Sequence, residues 1–313
     1  MRSPLSRPSC LRQAGLTLVE MMVAIAIGLG VVLAAGQLLG LANDAYAAQM
    51  ERAALDDAGR YALELVGRAV RQAAHADPTR MDLSSPIDVL PARLAGLDAR
   101  SLGKTTADIA SPLPATANGS DVLAVRFPGA GAGPDGDGSV LDCAGFAVAD
   151  GEEGWSIFYV ARNGDGEDEL RCKYRGASSW SADAVVAGVD SFQILYGLDT
   201  DTPRDGAANR YVNADAINAL DAALAGLPPQ ERNRQTWWKR VVSVRVGLLL
   251  HGARPTRHDR PTGEFQLFGT AHAAAATTGD AGTGVRETAL PEALRRRERR
   301  LFSMTVAVPA GAL

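Results

Sequence analysis

One carboxylate, Glu20, sits inside an apolar run that extends from Leu16 to Leu41 without another ionisable side chain. As a helix, these 26 residues would reach roughly 39 Å, against about 30 Å of bilayer hydrocarbon. The run therefore reads as a membrane-spanning helix. An acid near the centre of such a helix costs about 2.5 kcal/mol or more, which demands a partner, a task, or a position near enough to the helix end to reach the interface.

Ahead of the run, Met1 to Ala14 carries Arg2, Arg7 and Arg12 and no acid, the flank expected on the cytoplasmic side. The bulk of the chain is then expected across the membrane. An ordinary secretory signal has its small-residue cleavage site after the apolar stretch, whereas Gly15 stands before it. Cleavage there removes the basic leader, with Cys10, and keeps the anchor. The chain accordingly divides into a leader at 1–15, a transmembrane helix at 16–41, an amphipathic helical extension at 42–77 and a β-rich exported domain at 78–313.

The extension is inferred from Asn43 to Ala76, which is alanine-rich and free of proline, with Pro78 as its stop. Helical spacing predicts Tyr61, Leu63, Val66 and Val70 packed under the exported domain, with Arg52, Asp56, Arg60 and Arg71 facing solvent or neighbouring subunits. Gly36 and Gly40 form a GxxxG pair that permits close helix approach. Prolines at 86, 91, 112 and 114 suggest a loop from Thr79 to Ser120. Strands are then expected at Asp121–Phe127, Trp155–Ala161, Glu169–Tyr174, Val185–Tyr196, Val241–Leu250, Phe265–Phe268 and Phe302–Val308. The predicted fold class is α+β: a long N-terminal helix, half transmembrane and half amphipathic, packed on a mostly antiparallel β domain.

Loss of Cys10 leaves Cys143 and Cys172 as an even pair in an oxidising compartment, which implies a disulfide. Closing a loop of about 30 residues stabilises by roughly 3–4 kcal/mol on the chain-entropy view. Two cysteines without histidine neighbours make no zinc site, and no metal ligand set or cofactor motif is assigned. Acidic glycine turns at Asn163–Glu169 and Asp199–Gly206 offer oxygen ligands for calcium but lack the twelve-residue loop pattern, so they read as strand connections. The four histidines are scattered, and no GxSxG, HExxH or phosphate-cradling loop is present, so no enzyme is expected. A net charge of −4 gives no global pull toward nucleic acid. The cationic run Arg295 to Arg300 reads as a solvated face or subunit contact, with phosphate as the alternative.

The segment from Gly15 to Glu20, with its basic leader and uncharged continuation, resembles the class III signal of type IV prepilins and pseudopilins. That resemblance implies cleavage between Gly15 and Leu16 by a prepilin peptidase and methylation of the new Leu16 amine. It also implies an assembly role for Glu20, which stands at the family's functional glutamate position; Leu16 replaces the usual phenylalanine. The physics agrees: packing many such helices buries each Leu16 amine, and a carboxylate on a neighbouring subunit can neutralise it while fixing axial register. Further in, Asp56–Leu63, Phe192–Asp199, Trp238–Leu250 and Arg299–Val306 are similar to PilW-type minor pilins, although Val308-Pro309-Ala310-Gly311 departs from the family's ending. The resemblance implies a minor pilin that waits in the inner membrane as a single-pass protein with a periplasmic C-terminus. It would then join other minor pilins, the major pilin and the assembly platform to initiate a pilus used in motility or adhesion, with a tip adhesin as a further partner. A J-type minor pseudopilin of type II secretion is the same-class alternative. A pilus-borne binding module for an adhesin, surface ligand or DNA is the alternative of another class.

Overall fold

The computed structural model describes residues 15–73, 91–133, 136–176, 178–257, 262–275 and 280–308. The leader residues 1–14, His75, Pro78, His258 and the ending from Pro309 lie outside the described residues. The helices are α1 (Leu18–Gln72), α2 (Ala214–Asp221), α3 (Pro229–Gln235), α4 (Thr270–Ala275) and α5 (Glu292–Arg295). The strands are β1 (Leu94–Leu97), β2 (Arg100–Ser101), β3 (Leu113–Pro114), β4 (Val122–Pro128), β5 (Glu153–Arg162), β6 (Asp168–Arg175), β7 (Trp180–Ala187), β8 (Val189–Leu198), β9 (Arg210–Val212), β10 (Val241–His251), β11 (Glu264–Gln266), β12 (Gly284–Arg286) and β13 (Arg299–Ala307). By compactness the chain divides at Gln49 and Met50.

In the first unit every residue from Gly15 to Tyr46 is exposed, including the large apolar side chains of α1. Helix α1 is long and apolar enough to cross a membrane by length and composition, with a mean hydropathy of 2.4 over an 18-residue window. An α-helix satisfies its own backbone hydrogen bonds, so its apolar surface can face lipid without exposing polar groups.

In the second unit the remainder of α1 is half buried. Its buried positions are Leu55, Gly59, Ala62, Leu65, Val66, Gly67, Ala69 and Val70, a stripe at helical spacing. Val66 and Val70 are fully buried and Leu63 is half buried, but Tyr61 is 58% exposed, contrary to expectation. The stripe steps through 59, 62 and 66, which turns position 61 outward. Arg60 and Arg71 are exposed, whereas Asp56 is half buried and accepts from Arg300 Nε at 2.7 Å.

Two larger antiparallel sheets, beside the two-stranded β2-β3 and β11-β12 pairs, make up the strands of the described residues. One has the order β1-β4-β5-β6-β7 and the other β13-β10-β8-β9. Helix α1 contributes Val66 and Val70 to a core shared with Phe158 and Leu170 of the first sheet and Phe192, Ile194, Val244 and Val246 of the second. On β5, Phe158 and Val160 enter this core while Ile157 and Tyr159 enter a second cluster with Leu102 and Val122. Burial on both faces explains why β5 reads as a continuous apolar run instead of alternating.

Two expectations are corrected here. The segment Val185–Tyr196 is not one strand: Gly188, at φ +78°, ends β7 and starts β8, moving the chain from one sheet to the other. Only glycine fits, since a Cβ would lie 2.4 Å from His251 O. The expected loop from 79 to 120 contains β1, whose Leu94 pairs with Val125 and Leu97 with Val122, and the short β2–β3 ladder. Gly96 weakens strand propensity but leaves space for Tyr196, whose hydroxyl would meet a Cβ at 2.0 Å.

Candidate functional site

The residues expected to carry processing and assembly lie together at the start of α1. Gly15, Leu16 and Thr17 precede the helix, and Thr17 is its N-cap. The Thr17 N–H and hydroxyl each donate to Glu20 Oε2 at 2.9 Å, and the Glu20 N–H donates to Thr17 Oγ1 at 3.3 Å. This is a capping box: the third helical residue returns its side chain to the cap, so orphan donors of the first turn are satisfied reciprocally. Glu20 therefore has a partner within its own turn, and its carboxylate also lies where the helix dipole favours negative charge. Leu16 is 83% exposed beside it. The spacing Thr17-Leu18-Val19-Glu20 signals this box in the sequence, although the span reading considered only the charge of Glu20.

In the second unit Cys143 and Cys172 are joined by a disulfide, with Cα atoms 5.9 Å apart. It fastens the turn after Val140 to β6. Asp142 accepts from the N–H groups of Ala144 and Phe146 at 2.8 and 3.0 Å, which shapes that turn, and Phe146 is presented 57% exposed against Tyr174.

The cationic run after α5 is largely built into the fold instead of solvated. Arg299 is buried and donates from Nε to Asp190 Oδ2 at 2.7 Å and from Nη2 to Leu294 O at 2.7 Å. Arg297 donates to Glu167 Oε1 at 2.7 Å, and Arg295 donates to Leu290 O at 2.8 Å. His251 lies between the two carboxylates, with Nδ1 3.0 Å from Asp190 Oδ1 and Nε2 3.2 Å from Glu167 Oε2. Burial raises the Glu167 carboxyl, but its hydrogen bonds to Arg297 and His251 outweigh that and hold it below its ordinary value. With both ring nitrogens facing acids and only 4% of the residue exposed, His251 has no free position for a substrate proton. The group is a pinned ionic network.

Of the acidic turns, Asn163 uses its side-chain oxygen on the N–H groups of Asp165 and Glu167, an Asx turn linking β5 to β6. In the other turn, carboxylate oxygens of Asp199, Asp201 and Asp205 lie within 4.8 Å of one another. Asp199 accepts from Asp201 N and Gly206 N at 3.0 and 2.8 Å, and these bonds hold its carboxyl below the usual range. The turn is thus shaped by its own backbone donors.

Residues 157–310 match the family model described as Type IV Pilus-assembly protein W, and residues 10–35 match the prokaryotic N-terminal methylation motif. A type IV-like pilin from Thermus thermophilus is 15% identical, over 74% of this chain and 93% of that one, with a TM-score of 0.29, a likeness too slight to inform the fold. No curated protein matches.

Proposed function

Because this chain is a PilW-type minor pilin, carrying the PilW region and the N-terminal methylation motif together, we propose that it helps initiate assembly of a type IV pilus that serves motility or adhesion. The observation that carries this reading is the apolar half of α1, whose large side chains are exposed from Leu16 to Leu41 in the isolated chain. That much apolar surface requires a cover. A bilayer provides one before assembly, and other pilin helices provide one afterwards. The subunit is then a single-pass protein of the inner membrane with its β domain in the periplasm, and later a fibre component.

A prepilin peptidase cuts between Gly15 and Leu16 and the new Leu16 amine is methylated. Glu20 pairs with that amine on a neighbouring minor or major pilin as the assembly platform adds subunits. The β domain offers neighbours or an adhesin its surface. The exposed start of α1, the capping box beside Leu16 and the methylation-motif match support this reading.

The test has two parts. Intact mass of the subunit from membranes should correspond to a chain starting at Leu16 with one added methyl; an intact leader, or cleavage after Ala26 or Ala35, overturns the processing step. Deletion of the gene should reduce surface pili, with restoration by the parent chain; unchanged piliation overturns the assembly role.

A further inference from the structure

The first sheet is apolar on both faces. One face joins α1 in the shared core, and the other carries Val122, Ala124, Ile157, Tyr159 and Ala182, with the half-buried Trp155 and Trp180 at its edge. Among the described residues, the members of this second cluster that lie outside the sheet are Leu102 and Ile109. Both belong to the loop that the β2–β3 ladder closes. An apolar sheet face that a helix or a second sheet would ordinarily cover is thus kept from water by one loop.

The loop is held at its base and by one catch. At the base, Ser101 Oγ donates to Val160 O at 2.6 Å, which ties the ladder to β5. The catch is Lys173 of β6, which stands on the covered face opposite Ile157 and Ala182. Its ammonium donates to Gly103 O, Thr106 Oγ1 and Asp108 O at 3.1, 2.9 and 2.9 Å and lies 5.5 Å from the centre of the Trp180 ring. These partners are neutral; the Asp108 carboxylate is turned instead to Ala110 N–H, at 2.7 Å. A buried ammonium without an ion-pair partner raises the free energy of the closed loop. The backbone adds to it. Among the described residues, the four non-glycine residues with positive φ are Ala99 (50°), Asp108 (39°), Ser111 (55°) and Asn118 (36°), all in or beside this loop. Asp and Asn tolerate that region, so the strain falls on Ala99 and Ser111.

We propose that residues 103–112 form a strap that lifts from this face and reseats on it while the rest of the β domain stays folded, so that the apolar face and the Lys173 amine are presented only in the open form. Opening returns the ammonium to water and releases the left-handed backbone at Ser111. Burial of Ile109 and the three hydrogen bonds to Lys173 oppose it. The ladder, fixed by Ser101 and flanked by the buried Leu102, stays in place as the hinge.

The experiment treats the full chain, in a neutral detergent, with an amine-reactive succinimidyl ester and follows each lysine by peptide mass at urea concentrations below the unfolding transition. Lys104 is exposed and reports the reagent. Lys173 is fully buried, so it should react more slowly than Lys104, at a rate that urea scarcely changes, as a local opening requires. Ile109→Ala should speed the Lys173 reaction about tenfold by loosening the closed strap. Ser111→Gly should slow it about threefold by relieving the closed backbone. Neither should alter the reaction of Lys104. A Lys173 that stays unmodified until the protein unfolds, a rate that climbs with urea as steeply as global unfolding, or a rate that neither variant moves overturns the proposal.

Discussion

At the scale of single residues, the contact of α1 with β13 depends on glycines that the sequence alone does not explain. A Cβ at Gly59 would lie 2.3 Å from the Phe302 ring, whereas one at Gly67 would meet only the flexible ends of Arg71 and Met304, at 3.3 and 3.4 Å. Alanine in a helix interior is usually better than glycine by about 0.5–1 kcal/mol, and overpacking costs about 1–3 kcal/mol. The clash wins at Gly59 and the propensity wins at Gly67. Gly59→Ala should therefore lower the midpoint of thermal unfolding by several degrees, while Gly67→Ala should leave it unchanged or raise it; equal effects at the two sites would refute the glycine-mediated contact. Lys173 shows why such features escape a sequence reading. It is fully buried, and its ammonium donates to Gly103 O, Thr106 Oγ1 and Asp108 O at 3.1, 2.9 and 2.9 Å. Burial pushes its pKa down to about 8, partly opposed by the charge of Asp108. Its acceptors are 65 to 70 residues away. No local pattern carries that information.

At the scale of elements, legibility followed periodicity. The apolar run, the helix after it and the strands β4, β5, β6, β10 and β13 carry patterns that persist over many residues, whereas β7 and β8 were read as one and the three-residue β9 and β12 were not read, and both cysteines were read as a pair from parity and compartment. Short elements did not share this: β1 has four residues and includes Gly96, so its pairing with β4 and its packing beside Tyr196 define it. Helix α2 was not among the expected elements; its first cap is Asn213, whose Oδ1 accepts from Ala216 N–H. Its second cap, Asp98, was not legible, being 116 residues away. Asp98 accepts from Ala214 N–H at 3.0 Å and Asp215 N–H at 2.7 Å. Burial nevertheless raises its carboxyl to about 6, assisted by the charges of Asp215 and Asp280 and opposed by the two N–H donors. Asp121, bonded to Ala99 N–H and Ile194 N–H, is raised for the same first reason. A folded pKa above the unfolded one means that the contribution of Asp98 to stability is complete below about 3.8 and is lost as pH rises through about 6. At about 1.4 kcal/mol per unit, the span is on the order of 2–3 kcal/mol. The difference in unfolding free energy between the parent and Asp98→Asn should thus change between pH 4 and 6.5, with the parent losing relative stability as pH rises. A pH-independent difference would remove Asp98 as the titrating group.

At the scale of the whole molecule, the demand set by Glu20 changes with its surroundings. In the isolated chain its carboxylate completes the cap with Thr17, and a glutamine would serve almost as well, since the capping box accepts either side chain. In the proposed fibre the carboxylate would take a second use, since burial of a neighbour's Leu16 amine would call for a negative charge beside it. Leaving a buried ion without its partner costs about 3–5 kcal/mol, which corresponds to at least a hundredfold in association. The two uses separate by substitution. Glu20→Gln keeps the cap and removes the charge, whereas Thr17→Val keeps the charge and removes the hydroxyl part of the cap. If pairing sets the register, Glu20→Gln should insert in the membrane, lose its leader and fold normally, yet enter pili at least about a hundredfold less, by immunoblot of sheared fibres against membranes. Thr17→Val should show a much smaller loss. The opposite ranking would mean that Glu20 acts through its own helix end and that register is fixed elsewhere, in contacts of the β domain.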